Sequence, residues 1–279
     1  MAKNKLATPF LKWVGGKRQL IDQIKPCLPK DISKLKYIEP FLGGGAVYFH
    51  LQKKHAVIND ANADLINAYS VVKNNLDELL ESLKKHENTA DYFYKIRELD
   101  RSDSFGNLSN IDRASRLIYL NKTCFNGLYR VNNSGEFNSP FGNYKNPNIV
   151  NEPVLKAVSN FLCNADVSIL NSDYVTAIKS ADAKSFIYFD PPYHPISNSS
   201  NFTGYVQGGW GEDEQVRLRN TCDELNTKGV KFLLSNSSSK FILDLYKDFK
   251  INTVRANRAI NSVGDGRGAI DEVLIRNYE

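Results

Sequence analysis

The segment 37-YIEPFLGGGAVYFHL-51 passes from a short apolar run through three consecutive glycines into a helical pattern. The run has the branched and aromatic content of a buried strand. Pro40 lacks a backbone N–H and closes it. Glycines at 43, 44 and 45 permit a tight turn that a ligand can approach closely, and the following helix N-terminus favours anionic groups. The dinucleotide fingerprint is not met, because Tyr48 stands where its last glycine belongs. A Walker A loop is not met at Gly16-Lys17 either, where Leu11 and Arg18 replace the required glycine and hydroxyl residue. Read alone, the turn also fits a structural bend with no ligand.

Four further runs, 56-AVIND, 166-DVSILNSD, 186-FIYFD and 230-VKFLLSN, have the same character. Helical patterns lie between some of them. Apolar residues recur at three- and four-residue intervals from Leu65 to Leu83, and 212-EDEQVRLRNTCDELNTKG-229 has acids in its first turn and Lys-Gly at its end. Strands alternating with helices imply a mainly parallel sheet covered on both faces, an α/β doubly wound fold. The runs 251-INTVRA and 273-VLIRNY read as a hairpin-like pair that closes the sheet. Residues 62–165 break the rhythm: they begin helical and become polar and turn-rich, with Asn133-Ser134-Gly135 as a hairpin turn. The expected organisation is a core built from 1–61 and 166–279 around a mainly helical insertion at 62–165.

Hydrophobic residues make up 42% of the 279, enough for a sizeable core, and the net charge of +5 is compatible with a nucleic-acid partner. Cys27, Cys124, Cys163 and Cys222 lie far apart with no CxxC pair, which reads as reduced thiols. No stretch approaches the roughly 18 apolar residues of a membrane span, and the basic N-terminus lacks the apolar stretch of a signal peptide. The expectation is a soluble cytoplasmic protein. The four histidines show no metal-ligand spacing, so no metal is expected.

Asp60 ends the second run. An acid there in a doubly wound sheet is placed to accept hydrogen bonds from ribose hydroxyls, although a lone Asp in such a position is also a common cap. Together with the glycine turn it points to a nucleoside-containing cofactor. In 188-YFDPPYHP-195 a buried strand stops abruptly at a carboxylate, two prolines and an aromatic ring.

The ordered segments 9-PFLKWVGGKRQL-20, 38-IEPFLGGGAVYF-49 and 189-FDPPY-193 resemble the Dam-type adenine-N6 DNA methyltransferases. The stretch 125-FNGLYRVNNSGEFNSPFGNYKNP-147 is similar to the GATC-specific members, of which the DpnII methylase is one. The resemblance runs from about Pro9 to the C-terminus. It implies a Rossmann-like methyltransferase sheet with an inserted target-recognition domain, S-adenosylmethionine as methyl donor and double-stranded DNA as partner. It also implies a monomer, and leaves open whether a cognate restriction endonuclease belongs to the same system.

By the same resemblance the cofactor is held by Trp13, Lys17, Glu39, Phe41, Gly43, Gly45, Asp60, Asp173 and Asp190. For Asp173 the residues alone fit a helix cap as well, since an Asp after a strand frequently serves as one. Asp190, Pro191 and Tyr193 carry the chemistry. An exocyclic adenine amine is a poor nucleophile, and two acceptors aimed at its N–H bonds, the Asp190 carboxylate and the Pro191 carbonyl, strengthen as positive charge develops on nitrogen. Tyr193 offers a flat face for the base, which must leave the duplex to reach this pocket. Asp at the head of the tetrad, against Ser or Asn in related forms, favours adenine N6 by analogy.

From Asn110 to Val150 five basic residues face two acids among nine asparagines, a composition suited to base edges and phosphates. The resemblance makes Arg130 a base reader and Lys12 a contact to the first guanine. It sets Leu128 and Pro140 against the thymine methyl, and Asn126 at the DNA backbone or in the space left by the flipped base. The basic loop 255–268, with Arg258 and Arg267, is either a phosphate clamp or simply mobile.

Overall fold

The computed structural model describes residues 3–196, 210–257 and 269–279. The expectations for Arg258 and Arg267 lie outside the described residues.

Among the described residues, seven strands form one sheet: β1 (Lys36–Glu39), β2 (His55–Asn59), β3 (Asp166–Leu170), β4 (Ser185–Phe189), β5 (Lys231–Ser237), β6 (Lys250–Asn257) and β7 (Ala269–Arg276). Their spatial order is β3-β2-β1-β4-β5-β7-β6. The first five run parallel, and β7 lies antiparallel between β5 and β6. All five strand expectations and the closing antiparallel pair are borne out.

Alternation along the strands assigns each side chain a face. Tyr37, Ile58, Phe186, Tyr188 and Leu233 pack into one apolar layer. Ile38, Val57, Ile187, Phe189 and Leu234 pack into the other. A strand buried on both faces reads as a continuous apolar run, which is why these segments were legible. Each fully buried Leu, Ile or Phe contributes about 1.5–3 kcal/mol.

The first layer is covered by α1 (Ile21–Ile24), α2 (Ala46–Leu51), α3 (Ala63–Asn74), α4 (Leu76–Leu83), α5 (Ala90–Arg97), α6 (Asn110–Thr123) and α7 (Glu152–Cys163). The second is covered by α8 (Tyr174–Ala177), α9 (Glu212–Thr227) and α10 (Lys240–Leu245). The periodic stretch 65–83 is two helices, because Asn75 leaves the helical region at φ −136° and ends one while opening the next. Helix α9 begins with its three acids and is followed by Lys228 and then Gly229 at φ +69°.

The elements between β2 and β3 are mainly helical. No polar seam divides them from the sheet: Leu65, Leu79, Phe93, Leu117 and Leu155 share one apolar layer with Tyr37 and Tyr188, and both α3 and α7 touch β3. The turn at Asn133-Ser134-Gly135 is present, closed by Gly135 N–H to the Asn132 carbonyl at 2.9 Å. Its flanks pair through two isolated bridges, Val131 with Phe137 and Cys124 with Phe141, rather than a continuous ladder. Pro140 has no donor to give, and side chains take backbone groups instead, as where the Phe137 N–H donates to Asp100 at 2.7 Å.

Candidate active site

Strand β1 sits between β2 and β4, so the chain leaves it in one direction and later returns on the other side. Ligands of such sheets bind at this crevice, outside the carboxyl ends of the strands. Ile38 pairs with Ile187, which places the glycine turn after β1 beside the tetrad after β4.

The turn itself is fixed from three directions. Gly45 adopts φ +68° and ends the bend with its N–H on the Leu42 carbonyl at 2.8 Å. A Cβ there would come within 2.9 Å of the Tyr69 hydroxyl, so left-handed backbone and close packing both require glycine. Gly43 presses against Trp13, whose Cδ1 would lie 2.8 Å from an added Cβ. The Gly43 N–H donates to Asp60 Oδ2 at 2.9 Å, and the Asn62 N–H to Asp60 Oδ1 at 2.9 Å. Burial raises the Asp60 carboxyl above its ordinary range, and these two donors work against that rise. Each of its oxygens retains a lone pair for a further donor.

After β4, Lys17 Nζ lies 2.8 Å from Asp190 Oδ1, with the lysine only 5% exposed. The same ammonium stands 4.7 Å from the centre of the Tyr193 ring. The Tyr193 hydroxyl donates to Glu272 Oε2 at 2.8 Å. Glu39, at the end of β1, is buried and accepts the Tyr37 hydroxyl at 2.7 Å. Burial is the main cause pushing its carboxyl well above the usual range, and the nearby Asp190 charge adds to it. Asp190 is pushed up to about 6, chiefly by burial; Lys17 opposes the shift and Glu272 adds to it.

This coupling has a measurable consequence. Asp190 takes up its proton as pH drops through about 6, and any activity that depends on its ionised form falls with it. Removing the Glu272 charge removes one cause that raises Asp190, so Glu272→Gln moves the acid limb of the kcat/KM profile to lower pH. An unmoved limb would show that Glu272 does not act on Asp190.

Phe41 meets Trp210 edge-on at 5.3 Å and Tyr174 at 5.3 Å, forming an aromatic wall near the β1 end. Asp173 already has partners of its own. It caps α8 by accepting the Val175 N–H at 2.9 Å, and the Arg217 guanidinium grips it at 2.9 and 3.1 Å.

The sequence-derived DNA residues also converge. Asn121, fully buried, accepts the Lys12 N–H at 2.9 Å and donates to the carbonyls of Lys12 and Gly127 at 2.7 and 3.2 Å. Lys12 thereby packs beneath the Phe125–Gly127 turn, where Asn126 takes φ +57°. The Pro140 carbonyl accepts the Phe125 N–H at 2.8 Å. The carbonyl of Leu128 accepts the Ser139 hydroxyl. Arg130 donates to the Asn138 side chain at 2.7 Å and to its carbonyl at 3.2 Å. Trp13 stacks on Tyr129 at 4.8 Å and so ties this loop to the glycine turn.

Glu272, Asn121, Tyr129 and Arg217 were not singled out from sequence. Glu272 stands opposite Ser237 at the carboxyl end of β5, because β7 runs antiparallel to it. The available signal was an acid opening the apolar run 273-VLIRNY. Among the described residues no group of three or more His, Cys, Asp or Glu is arranged to hold a metal ion, and no helix is long and apolar enough to cross a membrane.

A family model described as D12 class N6 adenine-specific DNA methyltransferase matches residues 13–260. The chain is 43% identical over 281 residues to the type II methyltransferase M1.LlaDCHI of Lactococcus lactis subsp. cremoris, spanning 100% of this chain and 98% of the relative. It is 44% identical over 288 residues to the type II methyltransferase M.MjaIII of Methanocaldococcus jannaschii, spanning 97% and 99%. Against the DNA adenine methylase of Escherichia coli (strain K12) it is 33% identical over 285 residues, spanning 98% and 95%. With end-to-end similarity of this kind added to the sheet order and the site at its switch point, the chain belongs to the D12 class of N6 adenine-specific DNA methyltransferases.

Proposed function

We propose that this methyltransferase uses S-adenosylmethionine, the methyl donor its family implies, to modify adenine N6 in double-stranded GATC after drawing the base out of the helix. The observation that carries the reading is the tetrad 190-DPPY-193, with Asp190 held by Lys17 and Tyr193 held by Glu272 beside the glycine turn.

The donor set suits the cofactor. Lys17 is a buried cation for its carboxylate, Glu39 and Asp190 are acids for its ammonium group, and Asp60 keeps lone pairs for ribose hydroxyls. Gly43 and Gly45 leave the turn free of side chains, and Trp13 and Phe41 flank it. Asp173 would contribute once freed from Arg217. When bound, S-adenosylmethionine supplies an electrophilic methyl group on its sulfonium.

The protein's part is to hold the amine. Asp190 and the Pro191 carbonyl accept its two N–H bonds and localise the nitrogen lone pair, an interaction that strengthens in the transition state. Tyr193 stacks on the base. Asp190, near neutrality at about 6, is also suited to take the proton that the methylated nitrogen must lose. Alignment of amine and methyl contributes up to about 7–11 kcal/mol in favourable cases.

Residues 62–165 serve as the target-recognition part, with 1–61 and 166–279 as the catalytic core. In the recognition part Arg130 reads a base, Leu128 and Pro140 meet the thymine methyl, and Asn126 meets the DNA backbone or fills the gap left by the flipped adenine; Lys12, from the core, meets the first guanine. The type II names of two relatives favour a cognate restriction endonuclease as partner, and a DNA substrate fits a cytoplasmic setting. Tritiated-methyl transfer onto duplexes carrying GATC, GTAC or no adenine tests the specificity: incorporation is expected on GATC alone, and equal incorporation on all three overturns it. A fluorescent 2-aminopurine at the target position should brighten on binding; an unchanged signal would remove base flipping.

A further inference from the structure

Two prolines in the tetrad create a problem for the sheet that the structure solves with side chains. Strand β4 pairs with β5 only as far as Phe189 with Leu234, and β5 then continues to Ser237. Pro191 and Pro192 have no N–H to give. Backbone groups past the break, in a buried place, need other partners.

Two buried amides supply them. Gln215, in the first turns of α9, donates from Nε2 to the Pro192 carbonyl at 2.9 Å. Asn236, near the end of β5, donates from Nδ2 to Gln215 Oε1 at 3.0 Å. Asn236 Oδ1 in turn accepts the His194 N–H at 3.1 Å and the Ser237 N–H at 2.8 Å. Both amides are fully buried. Each donor meets an acceptor in one direction only, so the relay has a single orientation of both groups.

We propose that Gln215 and Asn236 are positioning residues for methyl transfer, clamping the backbone on either side of Tyr193 so that the Pro191 carbonyl stays aimed at the amine. This inference rests on the reading of Asp190 and Pro191 as the amine's acceptors. The relay grips the Pro192 carbonyl and the His194 N–H, the groups that bracket the tyrosine. With the Lys17 and Glu272 contacts, it leaves the tetrad little freedom to rotate. An acceptor that must be in place before charge develops loses its value when it can swing away.

The amide donors can be removed and restored by protonation. In Gln215→Glu, an ionised carboxylate faces the Pro192 carbonyl with no proton to donate; the neutral acid restores an O–H donor. Asn236→Asp does the same toward Gln215 Oε1. Gln215→Met removes the donor at every pH. The ionisable groups around the relay, Asp190, His194, Glu212 and Glu272, are the same residues in wild type and variants.

The test is single-turnover tritiated-methyl transfer onto unmethylated chromosomal DNA, from pH 6 to 9, with calorimetric binding of S-adenosylmethionine and thermal unfolding alongside. Gln215→Met is expected to lower the chemical step about tenfold at all pH values, with cofactor affinity within about twofold of wild type. The ratio of Gln215→Glu to wild type should be near one at pH 6 and fall as pH rises. If Gln215→Glu does not fold, Asn236→Asp provides the same reading. A flat ratio, wild-type rates in Gln215→Met, or cofactor affinity lost in step with rate would each overturn the proposal. Asp190→Ala serves as control: its full activity would remove the reading of the tetrad itself, whereas an inactive Asp190→Ala beside normal amide variants would remove only the relay.

Discussion

Replacing Asp190 with alanine lowers the single-turnover rate of methyl transfer by about 10²- to 10³-fold, the scale seen when one preorganised electrostatic partner is lost. Two effects combine. The amine loses the acceptor that strengthens as its nitrogen becomes positive, and Lys17 loses the counter-charge 2.8 Å away. Because Lys17 is 5% exposed, breaking the pair leaves a buried ammonium and costs about 3–5 kcal/mol of stability. Asp190→Asn, which keeps an oxygen of similar placement but no charge, separates these effects and should fall less far in rate. DNA affinity is expected to survive both changes, since it comes chiefly from cationic side chains on phosphates and neither change removes a cation. The check is tritiated-methyl incorporation beside a thermal melt and a binding titration; a folded alanine variant within tenfold of wild type would refute the role.

Arg130→Ala should cut affinity for a GATC duplex about 5- to 150-fold, corresponding to the roughly 1–3 kcal/mol of a good bidentate base contact. Arg130 does not have to find its conformation on binding. Asn138 holds its Nε at 2.7 Å and its Nη2 reaches the Asn138 carbonyl at 3.2 Å. The loss should therefore appear as discrimination, with GATC falling toward the affinity of GTAC. Fluorescence anisotropy on both duplexes checks this. An equal loss on the two would reassign Arg130 to the phosphate backbone.

Much of this was readable before any coordinates. Strands such as 186-FIYFD are apolar throughout because both faces are covered, and the glycine turn and the prolines after β4 announce themselves by residue type. Periodicity failed at Asn75, since a polar break between two amphipathic helices hardly disturbs the apolar spacing. The turn at Asn133-Ser134-Gly135 was legible, but not that isolated bridges flank it, because side chains such as Asp100 take the backbone donors a ladder would use.

The partners of the site were the least legible. Glu272 reaches Tyr193 across 79 residues of chain, and Asn121 reaches Lys12 across 109. Nothing local marks either one. Gln215 sits among the charged residues of 212-EDEQVRLRN-220 and looks like a solvated position until the helix is docked. Asp173 shows the opposite difficulty, a residue whose observed partner, Arg217, belongs to a helix some forty residues on.

The sheet order β5-β7-β6 bears on how the enzyme is made. β6 is synthesised before β7 yet, among the described residues, has only β7 as a strand neighbour, and β5 likewise presents an open edge until β7 slides between them. Edges that wait for a later strand stay exposed meanwhile. Glu272 rides on that same last strand. A growing chain can therefore contain the whole tetrad without having the acid that anchors its tyrosine, and methylating competence arrives with the final strand rather than with the motif.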